Sequence, residues 1–89
     1  MSNVNEIISL IKGGISEQEK KLLAKAYKLA EDAHAGQKRM SGEPFFIHSF
    51  ETAKILAKLG METEIIVSGL LLDVLVDTKI TEKELEKEF

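Results

Sequence analysis

Apolar residues recur every three or four positions along the first part of the chain, which is the spacing of amphipathic helices. The first stripe covers residues 4–11 and ends at the glycine pair 13–14. A second helix is predicted over residues 16–35. Ser16 and Glu19 have the spacing of a capping box, in which each side chain satisfies a free backbone amide of the other residue, so the helix start is well specified.

The second part of the chain predicts a loop and three further helices. Residues 36–44 combine two glycines, a proline and a serine, which is typical of a loop, and a third helix follows over residues 45–59. The fourth helix is predicted to start near residue 63 and is apolar almost all round over 65–76, so we expect it to be central and buried on most sides. A capping box at Thr81 predicts a fifth helix. The sequence therefore predicts an all-α array of about five helices.

Composition narrows the classes of function. The 89 residues are enough for one small domain, and the absence of cysteine excludes a disulfide scaffold, a cysteine nucleophile and a thiolate zinc site. A net charge of −3 argues against direct nucleic-acid binding. No apolar stretch is long enough to span a bilayer and no signal peptide is visible, so we expect a cytoplasmic protein without membrane contact.

The charge is unevenly distributed. Residues 1–60 carry 9 basic and 7 acidic side chains, whereas residues 61–89 carry 3 basic and 8 acidic ones. An anionic ligand is therefore expected to prefer the first part and a cation the second. The last predicted helix reaches Phe89 without a stop signal, and we interpret this as a cut through a larger protein.

Three polar residues in or beside the apolar helix are candidates for metal chemistry. Asp73 interrupts that helix, where an unpaired buried carboxylate is costly and needs a partner or a proton. Asp77 follows four residues later on the same helical face, and His48 could reach both from the third helix. A histidine and two carboxylates form a plausible partial site for a divalent ion. The alternative is structural, with Asp73 hydrogen-bonded to a histidine or helix terminus and Asp77 capping the helix end.

The 36–44 loop and the histidine before it offer a second kind of chemistry. Lys38 and Arg39 precede Ser41, so side chains and loop amides together could bind phosphate. A solvated basic loop is the alternative interpretation. His34, near a helix end, is predicted to be structural or favoured there by the helix dipole, rather than catalytic.

One ordered run of motifs is more specific than any of these pairs. It consists of Ala26-Tyr27, Ala30, Ala33-His34, Gly36-Gln37-Lys38-Arg39, Ser41-Gly42-Glu43-Pro44-Phe45 and Ile47-His48, and it continues through Asp73-Val74 and Asp77-Thr78. This run resembles the RelA/SpoT family, and the likeness covers about residues 20–89. The resemblance implies that residues 1–89 are the N-terminal fragment of an all-α HD domain, with the rest of that domain and any synthetase domain beyond Phe89.

The family makes and destroys the alarmone (p)ppGpp. In active members the resemblance implies a manganese ion held by the histidine after the Ser-Gly-Glu-Pro segment, by a His-Asp pair and by a later aspartate. A Glu-Asp pair just after the His-Asp pair helps to activate the water that removes the 3′-pyrophosphate. A synthetase domain follows in the long members of the family.

The match to these catalytic motifs is incomplete. His48 matches the first metal ligand and Asp73 the aspartate of the His-Asp pair, but Leu72 replaces the histidine. Asp77 matches the aspartate of the Glu-Asp pair, but Val76 replaces the glutamate. Leucine has no lone pair for a metal and valine cannot move a proton, so the site retains only residual metal ligands and a residual catalytic aspartate. We therefore expect no cofactor in this fragment.

The loop retains more of the pattern. Arg39 and Ser41 match the nucleotide-side loop of the family, although the basic residue often found between them is Met40 here, and Ser49 replaces the proline after His48. The resemblance implies a guanine nucleotide, (p)ppGpp or GDP, and an adjoining synthetase domain as partners. The favoured hypothesis is a hydrolase-defective HD domain of a GTP pyrophosphokinase with a structural or regulatory role. The alternatives are an active metal-dependent (p)ppGpp 3′-pyrophosphohydrolase and a helical protein-interaction module.

Overall fold

The computed structural model describes residues 3–77 together with residues 83, 86 and 87. Residues 3–77 form four helices: α1 (Val4–Leu10), α2 (Glu17–Ala33), α3 (Phe45–Lys58) and α4 (Thr63–Asp77). The described residues contain no strand, and an isolated β-bridge joins Lys38 to Pro44. The predicted all-α class is confirmed. None of the helices in this described part of the chain is long and apolar enough to cross a membrane.

The predicted helix boundaries agree closely with the observed ones. α2 ends at Ala33 rather than near residue 35, because His34 is its C-cap and Gly36, at φ 78°, turns the chain away. Of the predicted fifth helix, Lys83, Glu86 and Lys87 are described and have helical backbone. Its other residues, including the capping box at Thr81, lie outside the described residues.

A single hydrophobic core joins the four helices. Tyr27 of α2 packs edge-on against Phe46 and Phe50 of α3, with ring centroids 5.0 and 6.1 Å apart. Burial of these apolar side chains is the main force that holds the helices together. The buried apolar residues are Ile7, Leu23, Ala26, Tyr27, Ala30, Phe46, Phe50, Ala53, Ala57, Ile66, Val67, Leu70 and Val74.

α4 packs against both α2 and α3, as expected for a central helix, but its described side chains are not buried on most sides. Ile66 and Leu70 are fully buried, whereas Ile65 is 44% and Leu72 is 64% exposed. The prediction of nearly complete burial is wrong for these residues. An apolar pattern shows which side chains could be covered, and here α2 and α3 cover only one side of the described part of α4.

Three polar residues at the starts of α2 and α4, Ser16, Glu19 and Thr63, form what we call the capped end. The Ser16 hydroxyl accepts from the Glu19 amide at 3.1 Å, and the Glu19 carboxylate accepts from the Ser16 amide at 3.3 Å, so the predicted capping box is confirmed. The Thr63 hydroxyl donates to the other carboxylate oxygen of Glu19 at 2.7 Å. This bond places the starts of α2 and α4 at one end of the domain.

The contacts at the capped end also set the charge of Glu19. The hydrogen bond from Thr63 has the largest effect in lowering the pKa of the Glu19 carboxyl, and the bonds from the Ser16 backbone and hydroxyl act in the same direction. Each of these donors favours the ionised carboxylate.

Candidate functional site

The 36–44 loop follows the end of α2 and folds into a tight, hydrogen-bonded turn. The Arg39 amide donates to the Glu43 carbonyl at 2.9 Å, and the Gly42 amide donates to the Arg39 carbonyl at 2.8 Å. Gly42 has φ 91°, a left-handed value that glycine adopts without steric strain. The backbone hydrogen bonds therefore fix the positions from which the exposed side chains of Arg39 and Ser41 project.

The two ends of the loop are joined by a backbone hydrogen bond and by contacts to His34. The Phe45 amide donates to the Gln37 carbonyl at 2.8 Å. His34 stacks on the Phe45 ring with centroids 4.7 Å apart, and its Nδ1 lies 2.6 Å from Gln37 Oε1. His34 is buried, which is consistent with the structural role predicted as one of its two interpretations.

An open cavity of about 620 Å³ lies against the loop. Arg39 and Ser41 both line it, so the structure brings the two predicted nucleotide-binding residues together. Lys38 adds a second cation, and no carboxylate is among the lining residues, which are Gln37, Lys38, Arg39, Met40, Ser41 and Phe45. The cavity therefore has the charge and hydrogen-bond donors that suit an anion.

A second cavity, of about 320 Å³, lies at the capped end and differs in charge. Glu19, Glu62 and Glu64 are among its lining residues, together with Lys12. The excess of carboxylates disfavours a phosphate there, so the loop cavity is the better candidate for an anionic ligand.

His48 lies in the first turns of α3, beside the loop. Its Nδ1 is 3.4 Å from Nη1 of Arg39, and its ring lies edge-on to Phe45 at 6.1 Å. A guanidinium only donates, so Nδ1 is on the acceptor side of this long, exposed contact.

The remaining predicted site residues lie on α4. Leu72 presents a largely exposed hydrocarbon side chain without a donor atom. Asp73, Val76 and Asp77 belong to the same helix, but their side chains are outside the described residues. Among the side chains that are described, no group of three histidine, cysteine, aspartate or glutamate residues could hold a metal. Because the side chains of Asp73 and Asp77 are not described, the metal ligands predicted from the sequence stay predictions.

Sequence reasoning missed the supporting role of two residues. Gln37 and Phe45 were seen only as parts of a motif, but they connect His34 to both ends of the loop. The spacing of three residues between His34 and Gln37 at a helix end is a local signal that could have indicated this contact. The pairing of His34 with Phe45 depends on how the loop closes and has no comparable local signal.

Comparison with known proteins identifies the family. A family model described as the HD domain matches residues 26–89 of the chain. The chain belongs to the HD domain family. This HD domain is also homologous to proteins of the RelA/SpoT family, as the following relatives illustrate.

A putative chloroplastic GTP diphosphokinase of Arabidopsis thaliana is 47% identical over 76 residues, which cover 84% of this chain and 9% of that protein. A guanosine-3′,5′-bis(diphosphate) 3′-pyrophosphohydrolase of Borreliella burgdorferi is 44% identical over 73 residues, which cover 82% of this chain and 11% of that protein. The bifunctional (p)ppGpp synthase/hydrolase SpoT of Escherichia coli is 41% identical over 80 residues, which cover 90% of this chain and 11% of that protein. The HD domain described here thus spans about a tenth of the length of these curated relatives.

Proposed function

We propose that this HD domain is the N-terminal, hydrolase-defective domain of a RelA/SpoT-type GTP pyrophosphokinase that acts in stringent-response alarmone metabolism. Its role is structural or regulatory towards an adjoining synthetase domain, and its location is cytoplasmic. Its 36–44 loop binds a guanine nucleotide, either (p)ppGpp or GDP. Residues Arg39 and Ser41 contact that nucleotide.

The observation that carries this proposal is the side chain at position 72. In the family pattern a histidine of the His-Asp pair stands there, and here it is Leu72, an exposed hydrocarbon. Leucine cannot bind a metal, so one ligand bond is lost outright. Val76 in place of the glutamate removes a proton-transfer group, which by itself contributes roughly 10²–10⁴-fold to a rate.

The exposed Arg39 side chain supports the nucleotide-binding part of the proposal. It lines the loop cavity beside His48, with Nη1 3.4 Å from Nδ1 of that ring, and a guanidinium only donates hydrogen bonds. An anion in the loop cavity would gain the positive charge of Arg39 without any metal.

The test is manganese-dependent release of pyrophosphate from ppGpp by the full-length parent protein, compared with its Leu72→His/Val76→Glu double variant. We expect no release by the parent. Recovery in the double variant would show that the rest of the site is intact. Robust release by the unmodified parent would overturn the proposal.

An active metal-dependent (p)ppGpp 3′-pyrophosphohydrolase is the second candidate. It is favoured by the relatives whose names state hydrolase activity and by the presence of His48 and Asp73. If this alternative holds, Asp73→Ala should abolish both manganese binding and turnover in the full-length protein. Under the first proposal the same substitution changes neither nucleotide binding nor the absence of turnover.

A further inference from the structure

We propose that His34 is a positioning residue that fixes the geometry of the 36–44 loop, so that Arg39 and Ser41 face the loop cavity. This inference rests on the proposed nucleotide binding by that loop. It assigns the task of holding the binding residues in place to a side chain that does not itself line the cavity.

The first argument is the direction of the hydrogen bond. Gln37 Oε1 lies 2.6 Å from His34 Nδ1, and a carbonyl oxygen can only accept, so Nδ1 carries the proton and donates. The bond joins the C-cap of α2 to Gln37, near the start of the loop. It therefore fixes where the loop leaves the helix.

The second argument is that His34 contacts both ends of the loop. Its ring stacks on Phe45, with an angle of 24° between the planes, while Nδ1 holds Gln37. The amide of Phe45 in turn donates to the carbonyl of Gln37 at 2.8 Å. These three residues form a closed set of contacts, which we call the His34 latch, at the two ends of the loop that carries Arg39 and Ser41.

The third argument comes from burial. His34 is only 2% exposed, and among the described residues its Nε2 has no hydrogen-bond partner. Burying an acceptor without a partner is unfavourable, whereas an apolar ring of similar size would pack without that cost. What imidazole adds is the Nδ1 donor to Gln37. The donor, rather than the packing volume, is therefore the contribution that distinguishes histidine here.

The test compares His34→Phe, which keeps an aromatic ring but loses the donor, with His34→Asn, which keeps an amide donor near the Nδ1 position but loses the ring. Each variant is made in the full-length protein and is examined by amide hydrogen exchange at Arg39, Gly42 and Phe45, and by calorimetric titration with GDP. Circular dichroism checks that the helices are retained.

We expect His34→Phe to lose about tenfold in loop amide protection and about tenfold in GDP affinity, and His34→Asn to stay closer to the wild type in both. Gln37→Met, which removes the acceptor, is a second route to the same loss of protection if His34→Phe does not fold. As a control, Ala53→Gly weakens the buried core of α3 and should lower the melting temperature without changing protection of the loop amides.

Unchanged protection in both His34→Phe and Gln37→Met would overturn the inference. So would wild-type protection in His34→Phe with a loss confined to His34→Asn, because stacking alone would then position the loop. The exchange measurement needs no ligand, so it separates the two proposals. If the wild type binds no GDP but His34→Phe still loses protection, the His34 latch stands and the proposed nucleotide binding fails.

Discussion

The capped end and the 36–44 loop lie at opposite ends of α2, and they are built differently. At the capped end, a carboxylate between two helix starts accepts several hydrogen bonds, including one of 2.7 Å from the buried Thr63. At the loop, the backbone is held by hydrogen bonds, but the side chains of Arg39, Ser41 and His48 are exposed. The contact between Arg39 Nη1 and His48 Nδ1 is long, at 3.4 Å. The first arrangement is typical of a structural contact and the second of groups available to a ligand.

This difference shows how one small domain can place the residues that stabilise the fold and the residues available to a ligand at different ends. Because the starts of α2 and α4 are joined at the capped end, their relative position is set away from the loop. The loop can then expose cations without these being needed for the core. Exposed ion pairs contribute little to stability, so we expect the loop side chains to matter for binding and the capped end for folding.

The largest expected effect concerns the hydrophobic core that lies between the two ends of α2, and it is tested on the buried and exposed sides of α4. Leu70→Ala removes a fully buried side chain of α4 and should lower the free energy of unfolding by about 2–5 kcal/mol. Leu72→Ala, on the exposed side of the same helix, should change it by no more than about 0.5 kcal/mol. Urea denaturation measures both, and equal losses would mean that Leu72 is covered in solution.

Substitution of the loop arginine sharpens the contrast between binding and folding. Arg39→Gln removes a charged donor from the loop cavity and should weaken GDP binding by about tenfold, with little change in the urea midpoint. Lys28→Gln, an exposed cation paired with Asp32 on α2, is the matched control and should leave the affinity unchanged. Equal losses in the two variants would indicate nonspecific attraction rather than a site.

Loss of the helix cap of α2 should have the opposite effects to Arg39→Gln: it should lower stability and leave binding unchanged. Ser16→Ala removes the hydroxyl that accepts from the Glu19 amide and should cost about 1 kcal/mol of unfolding free energy without affecting GDP affinity. Chemical denaturation and calorimetric titration of the same variant check both parts. A loss of affinity would contradict the separation between the two ends.

The smallest expected effect is a pH dependence at the capped end. The pKa of Glu19 is lowered in the folded state, so its contribution to stability is fully present above the ordinary carboxyl value of 4.5 and is lost as the pH falls through the lower folded value. Thr63→Val removes the largest cause of this shift. The variant should be less stable than the wild type above that value, and the difference should shrink on acidification.

Urea midpoints measured at several pH values check this expectation. Glu31→Gln, at an exposed position on α2, is the control and should follow the wild-type profile. A constant difference between Thr63→Val and the wild type across the acidic range would mean that the hydrogen bond does not depend on the charge of Glu19.

Much of the local structure could be predicted because its causes are local. The capping box of Ser16 and Glu19 and the glycines after the helices act within a few residues, so helix starts and ends follow from the sequence. Arg39 and Ser41 were predicted to bind a nucleotide because they match a loop of the RelA/SpoT family, and the structure places both against the loop cavity. The partner of Glu19 across 44 residues, Thr63, has no such signal and was not predicted.

The amino-acid sequence by itself determined the all-α class, the helix boundaries and the family pattern with Leu72 and Val76 in place of polar residues. Only the tertiary structure decided which side of α4 is covered, that Arg39 meets His48, and that His34 joins the two ends of the loop. The physical reason is range: capping and helical periodicity are set by neighbouring residues, whereas burial and side-chain pairing depend on how distant helices pack.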